Sequence, residues 1–226
     1  MAALARQGSR ARAAGMHAIG DDEVQTEAAA PTPQEMARGG LSVQPLTLEL
    51  AEALGRIHDE GFATKAMCMC LPLKDAGALK RYYARHPERL PLCGVVLGED
   101  GTPLGFVSLA VHPMGDRLGL HTLKPGEAYI EQIGVAAAAR GKGVGTLLLQ
   151  WAEQWAREHS ATLLTLSVIN GNPARRLYER FGFAAVPKAD PIETCIEGGV
   201  VCCCFGRPYG LCDPHCGAAD MKKPLA

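Results

Sequence analysis

The chain has 226 residues, 47% of them hydrophobic and 21% charged, and its 23 basic and 24 acidic side chains leave a formal net charge of -1. This composition suits one globular domain with tails and excludes a wholly disordered chain. The near-zero balance gives no reason to expect a nucleic acid or an anionic membrane as partner, and no run of about 18 apolar residues is present to span a bilayer.

Residues 1–20 hold Arg6, Arg10 and Arg12, many alanines and no acid before Asp21. Two readings are open, an alanine-rich disordered tail and an organellar transit peptide. Residues 21–40 contain Pro31, Pro33 and Gly39-Gly40 and read as a linker. The folded domain is expected at 41–210, with 211–226 as a flexible tail. Alternation predicts a strand at 41–45, and Leu50, Leu54 and Ile57 predict a helix over 46–58. A sulfur-rich irregular stretch at 62–71 leads to a second helix at 72–86, stopped by Pro87.

Strands at 92–97 and 104–111 flank the turn Glu99-Asp100-Gly101-Thr102-Pro103 and form a hairpin. A long loop at 112–126 precedes a strand at 128–135. Val144, Leu148, Trp151 and Trp155 place an amphipathic helix over 143–159. A buried strand comes next, at 162–168. Asn172-Pro173 opens another helix, with Ala174, Leu177, Tyr178 and Phe181 on one face and Gly182 as its left-handed cap. The last strands are expected at 183–186 and 199–205. The order is mixed α/β (α+β), with an antiparallel start and a central strand, helix, strand unit.

Nine cysteines are an odd number, and several are neighbours, as at Cys202, Cys203 and Cys204. Such spacing suits reduced thiols in an intracellular compartment, the cytoplasm, or a plastid or mitochondrion if the N-terminal residues are a transit peptide. Cys212, His215 and Cys216 have the side chains of metal ligands but no clear second pair, so no metal is expected.

The chemistry concentrates in Arg140-Gly141-Lys142-Gly143-Val144-Gly145-Thr146, which comes after a strand and opens a helix. Glycines let the backbone turn tightly and approach a ligand. The first amides of the helix lack internal partners, and with the helix dipole they suit a diphosphate. Arg140 and Lys142 add positive charge. By itself the loop is equally a tight turn with no ligand, and it lacks both the Walker and the dinucleotide-binding spacing.

Context decides between these. Arg140, Gly143 and Gly145 meet the pattern R-x-x-G-x-G directly after Ile130-Glu131-Gln132-Ile133-Gly134-Val135. Downstream, Asn172-Pro173-Ala174 with Leu177, Tyr178, Gly182 and Phe183 meets N-P-A-x-x-L-Y-x-x-x-G-F. The chain therefore resembles the GNAT superfamily of acetyl-CoA-dependent N-acetyltransferases. It departs from the family's usual pattern at Ala136, Ala137, Ala138 and Ala139, where a proline and bulkier residues are common.

The resemblance implies one domain whose mostly antiparallel mixed sheet splays at the acetyl-CoA site, with helices on both faces. It implies acetyl-CoA as cosubstrate, an amine (small molecule, peptide N-terminus or lysine) as acceptor, and a monomer or homodimer. Backbone near Ile133 and Val135 would pair with the pantetheine arm, and the amides of Gly141, Lys142, Gly143, Val144, Gly145 and Thr146 would hold the diphosphate. Asn172 would touch the cofactor or cap its own helix. Glu131 is placed as the base and is equally a surface carboxylate of an alternating strand; Glu127 is a weaker candidate. Tyr178 is placed as the acid that protonates the leaving thiolate, against a plain role in the core. The stretches at 62–71 and 187–198 would border the acceptor groove. A CoA-binding module without catalysis is the alternative.

Overall fold

The computed structural model describes residues 39–62, 76–115, 121–187 and 218–225. Their elements are β1 (Ser42–Pro45), α1 (Ala51–Phe62), α2 (Ala76–Arg85), a 3-10 turn (Pro87–Leu92), β2 (Cys93–Leu97), β3 (Pro103–Val111) and β4 (Glu127–Val135). Next come a second 3-10 turn (Ala137–Ala139), α3 (Val144–Glu158), β5 (Leu163–Ile169), α4 (Arg175–Arg180), β6 (Ala184–Ala185) and β7 (Ala218–Pro224).

The strands form one sheet in the order β1-β2-β3-β4-β5-β7-β6. Every neighbouring pair is antiparallel except β4 and β5. A parallel pair needs a crossover, and α3 supplies it. The apolar stripe of α3, with Leu147, Leu148, Trp151 and Ala152, packs with Val107, Leu109, Ala128, Ile130 and Leu164 on one face of the sheet. On the other face Leu54 and Ile57 of α1 and Tyr83 of α2 cluster with Val95 and Phe106.

One irregularity sets the geometry of the second half of β4. Ser108 of β3 faces Gln132, but Leu109 faces Ile130, so Glu131 is an extra residue in β4. Such a bulge bends a strand and breaks its alternation. Before it, Ala128 and Ile130 join the core on the α3 face; after it, Ile133 and Val135 do. The bulge therefore turns the consecutive residues Glu131 and Gln132 toward the α1 face, where their partners Ser108 and His58 lie. It is also where β4 leaves β5. Their register runs from Glu127↔Leu163 to Ile130↔Leu166 and stops, while β5 stays paired with β7 as far as Ile169.

The expectation of a flexible tail at 211–226 is overturned for its last residues. β7 lies between β5 and β6 and pairs with β5 from Pro224↔Leu163 to Ala218↔Ile169. Met221 is 1% exposed and Leu225 is buried. The two lysines that make this stretch look like a tail disguise it. Lys223 lies with its ammonium 4.1 Å from the centre of the Phe181 ring and pairs with Glu153 of α3, so its stem covers apolar surface while its charge is matched. The strand expected at 199–205 lies outside the described residues. No helix among the described residues is long and apolar enough to cross a membrane.

Candidate active site

Of the four alanines after β4, Ala136 precedes a single 3-10 turn formed by Ala137–Ala139, with Ala139 buried. Arg140 remains exposed and its Nε donates to the Val135 carbonyl at 3.4 Å, tying the turn to the strand end. Gly141 has φ +76° and Gly143 φ +86°. A Cβ on either would meet nothing within 4 Å, so glycine is required there by backbone conformation and not by crowding.

Gly143 directly precedes α3, and its carbonyl accepts from Leu147. The amides of Gly141, Gly143, Val144, Gly145 and Thr146 have no partner among the described residues. Lys142, Gly143 and Thr146 line a cleft of about 370 Å³ together with Gly39, Leu41 and Gln150. Open amides at a helix N-terminus, a lysine and a hydroxyl around free space fit a diphosphate. Val144 contributes only its amide, because its side chain is in the core.

Gly145 also has a packing role. A Cβ there would stand 2.9 Å from Leu177 Cδ2, so the missing side chain lets α3 close on α4. Ile133 and Val135 pair with Val107 and Gly105 on one side. On the other side β4 has no β5 partner beyond Ile130, which leaves that edge without a strand partner among the described residues.

Asn172 serves its own helix. Its Oδ1 accepts the Ala174 amide at 3.0 Å and its carbonyl accepts the Arg175 amide, so regular helix begins at Arg175 and not at Asn172. Tyr178 on α4 is 5% exposed and meets Phe183 edge-on at 6.1 Å. Burial pushes its phenol up to about 12, and its hydroxyl has no hydrogen-bond partner among the described residues.

Glu131 and Gln132 sit in a polar cluster that sequence reasoning largely missed. Arg89, on the 3-10 turn after α2, donates Nη1 to Glu131 Oε1 at 3.3 Å. Its Nη2 donates to the carbonyls of Met114 and Gly115, just past β3, at 3.3 and 3.0 Å. Ser108 Oγ reaches Glu131 Oε2 at 3.5 Å, the limit of a hydrogen bond. Gln132 Nε2 lies 3.3 Å from His58 Nε2 on α1. Arg89, Ser108 and His58 are all buried. Two adjacent polar residues inside an apolar alternating strand were the available signal, and Ser108 stands alone among apolar residues of β3.

Glu127 is fully engaged elsewhere. It accepts from Thr165 Oγ1 at 2.6 Å and from the Lys124 amide at 3.0 Å, and His121 Nε2 lies 2.8 Å away. Burial works against its charge, but these partners outweigh it and hold the carboxyl below its usual range. This saturated carboxylate anchors the start of β4 and has little to offer a substrate. The stretches expected to border the acceptor groove, and Cys212, His215 and Cys216, lie outside the described residues, apart from Phe62 and Pro187 at the borders of the stretches.

A family model described as Acetyltransferase (GNAT) family matches residues 63–183. Streptothricin acetyltransferase of Streptomyces lavendulae is 40% identical over 91 residues, which are 40% of this chain and 43% of that protein. The chain spans about half the length of the curated relatives it matches. A GCN5-related N-acetyltransferase from Kribbella flavida superposes with a TM-score of 0.57 at 23% identity, covering 82% of this chain and 98% of the other. The structure of yncA from Salmonella typhimurium with its cofactor acetyl-CoA gives 0.58 at 15% identity, covering 83% and 95%. At these identities the two structures establish the fold.

Proposed function

The chain belongs to the acetyltransferase (GNAT) family, and from that premise we propose that it transfers an acetyl group from acetyl-CoA to a primary amine by direct attack in a ternary complex. One observation carries the reading. Among the described residues, an open cradle of amides at the α3 N-terminus and an edge of β4 without a strand partner lie at the same end of the sheet.

In this reading the amides of Gly141, Gly143, Val144, Gly145 and Thr146 would hold the diphosphate, with the side-chain charges of Lys142 and Arg140 beside them, while the Lys142 amide is taken by the Ala139 carbonyl at 3.4 Å. Backbone at Ile133 and Val135 pairs with the pantetheine arm as an added strand would. Acetyl-CoA, when bound, supplies a thioester carbonyl open to attack.

A free alkylamine has a pKa of about 10.4, so an acceptor must lose a proton before or during attack. Glu131 is the carboxylate beside this edge of β4 that takes this proton, directly or through water. Arg89 fixes its position. Tyr178 stays neutral and offers its O–H to the departing sulfur. A phenol near 12 is a weaker acid than a thiol of about 8.5, so its part is to hydrogen-bond the developing thiolate while the final proton equilibrates with solvent.

The acceptor is a small amine, a peptide N-terminus or a lysine. The similarity to streptothricin acetyltransferase puts streptothricin first on a panel. The test is release of free CoA thiol with each amine, together with the mass of the product. At least one amine should give both. Tight CoA binding with no turnover on any amine would instead favour a non-catalytic CoA-binding module.

A further inference from the structure

On the α1 face of β4 a buried oxygen is left without a partner. Gln132 Nε2 lies against His58, and Gln132 Oε1 is buried with no hydrogen-bond partner among the described residues. Buried polar atoms are nearly always paired, and an orphan requires an explanation. With the amide nitrogen set against the His58 ring, the remaining oxygen can only accept. What would satisfy it is an N–H or O–H from outside the described residues.

Its position narrows the donor. Gln132 comes two residues after the last β4–β5 pair, so it lies where β4 has no β5 partner. Beside it, and turned to the same face by the bulge, is the carboxylate of Glu131. Arg89 holds one oxygen of that carboxylate at 3.3 Å. An acceptor oxygen beside a carboxylate calls for a nitrogen that carries several protons. A primary amine has two N–H groups besides the lone pair with which it attacks, so one can be received while the lone pair points at the acyl carbon.

We propose that Gln132 Oε1 receives an N–H of the acceptor amine and so selects primary amines over their fully methylated counterparts. The inference rests on the amine-acetylation reading above. It makes Gln132 a specificity-determining residue and gives the bulge a purpose, because without the extra residue Glu131 and Gln132 would point to opposite faces.

The test uses the full chain, saturated with CoA, and matched ligand pairs that share a positive charge but differ in N–H content. These are Nα-acetyl-lysine methylamide, glycylglycine amide and β-lysine methylamide, each against the form trimethylated at the amine under test. Hydrogen bonds to charged groups imply that wild type binds the primary member of at least one pair about 10- to 100-fold tighter. In Gln132→Met, which keeps length and removes both polar ends, the preference should fall to within about threefold, with CoA affinity unchanged.

A preference that persists in Gln132→Met overturns the proposal, as does a wild type that binds no pair or binds both members equally. The last result would mean that a water satisfies the oxygen. If Gln132→Met does not fold, Gln132→Glu, which keeps an acceptor oxygen, must retain the preference, and its loss there is equally fatal. Absence of turnover with the preference intact would refute acetyl transfer and leave the amine site standing.

Discussion

Arg89 Nη1 stands 3.3 Å from Glu131 Oε1, with the two side chains only 10% and 7% exposed. With its contacts to the Met114 and Gly115 carbonyls, the same guanidinium ties the 3-10 turn after α2 to the backbone after β3 and to the bulge in β4. Removing one partner of a buried pair leaves an uncompensated charge. Arg89→Met should therefore cost about 3–5 kcal/mol in urea unfolding, and Arg89→Lys should recover only part, because an ammonium lacks the guanidinium fork. The double variant Arg89→Met/Glu131→Gln should lose clearly less than the sum of the single losses. Strict additivity would mean that the pair carries no coupling.

Tyr178→Phe keeps the ring packing and removes the donor. Because burial keeps the phenol protonated up to about 12, kcat should drop with no change in the shape of its pH profile between pH 6 and 9. The size expected for loss of a hydrogen-bond donor to a developing charge is about 10² to 10³-fold. Acetyl-CoA affinity should move little, since the interaction forms as the thioester breaks. A basic limb within that range that disappears in the variant would contradict the assignment. Glu131→Gln, in contrast, should be most defective at low pH, where the amine is most protonated, and recover partly as pH rises.

Gly143 and Gly145 separate two uses of glycine. At Gly143 the backbone has φ +86° with open space around the missing side chain, so Gly143→Val strains the cradle itself. CoA affinity should fall by about tenfold or more, read by calorimetry, in line with the loss of about one charge-assisted hydrogen bond. Gly145→Ala meets the end of the Leu177 side chain at 2.9 Å, which can shift. Its effect should be smaller and should appear mainly in Tm. The reverse ranking would mean that Gly145, not Gly143, faces the ligand.

Glu127 gives a pH-dependent stability. Burial opposes its charge, but Thr165, the Lys124 amide and His121 together lower its folded-state pKa below the unfolded value. A depressed carboxylate contributes stability that is fully present above the unfolded value, near 4.5, and is lost as pH falls through the folded value. Glu127→Gln should therefore lower Tm at pH 7 and flatten the fall of Tm between pH 5 and pH 3. An acid limb as steep as that of the wild type would assign the effect to other carboxylates.

Much of the fold is legible in the sequence wherever short-range effects decide it. The amphipathic period of α3 and the Asp-Gly turn at Asp100-Gly101 fix local structure, and α3, β2 and β3 begin and end within about one residue of the expectation. The cradle glycines are also readable, since positive φ at Gly143 is a local demand. The features that escape depend on distant partners. Lys222 and Lys223 read as tail because nothing local reveals that Glu153 and Phe181 await Lys223. Arg89 looks like an ordinary residue after a proline, and only the fold brings it to Glu131, 42 positions away. Asn172 has two readings, and the contact at 3.0 Å to the Ala174 amide supports the local one.

The extra residue in β4 also divides the strand's tolerance of change. Upstream of Glu131 each side chain is locked between neighbours on both sides, with β3 and β5 in register. Downstream, one edge answers to β3 and the other to whatever lies along it. A library randomised at Ala128 to Ile130 should yield mostly unfolded chains. One randomised at Gln132 should yield folded chains with altered acceptors. New substrate ranges can thus arise through changes on one side of a single bulge while the scaffold on the other side stays fixed.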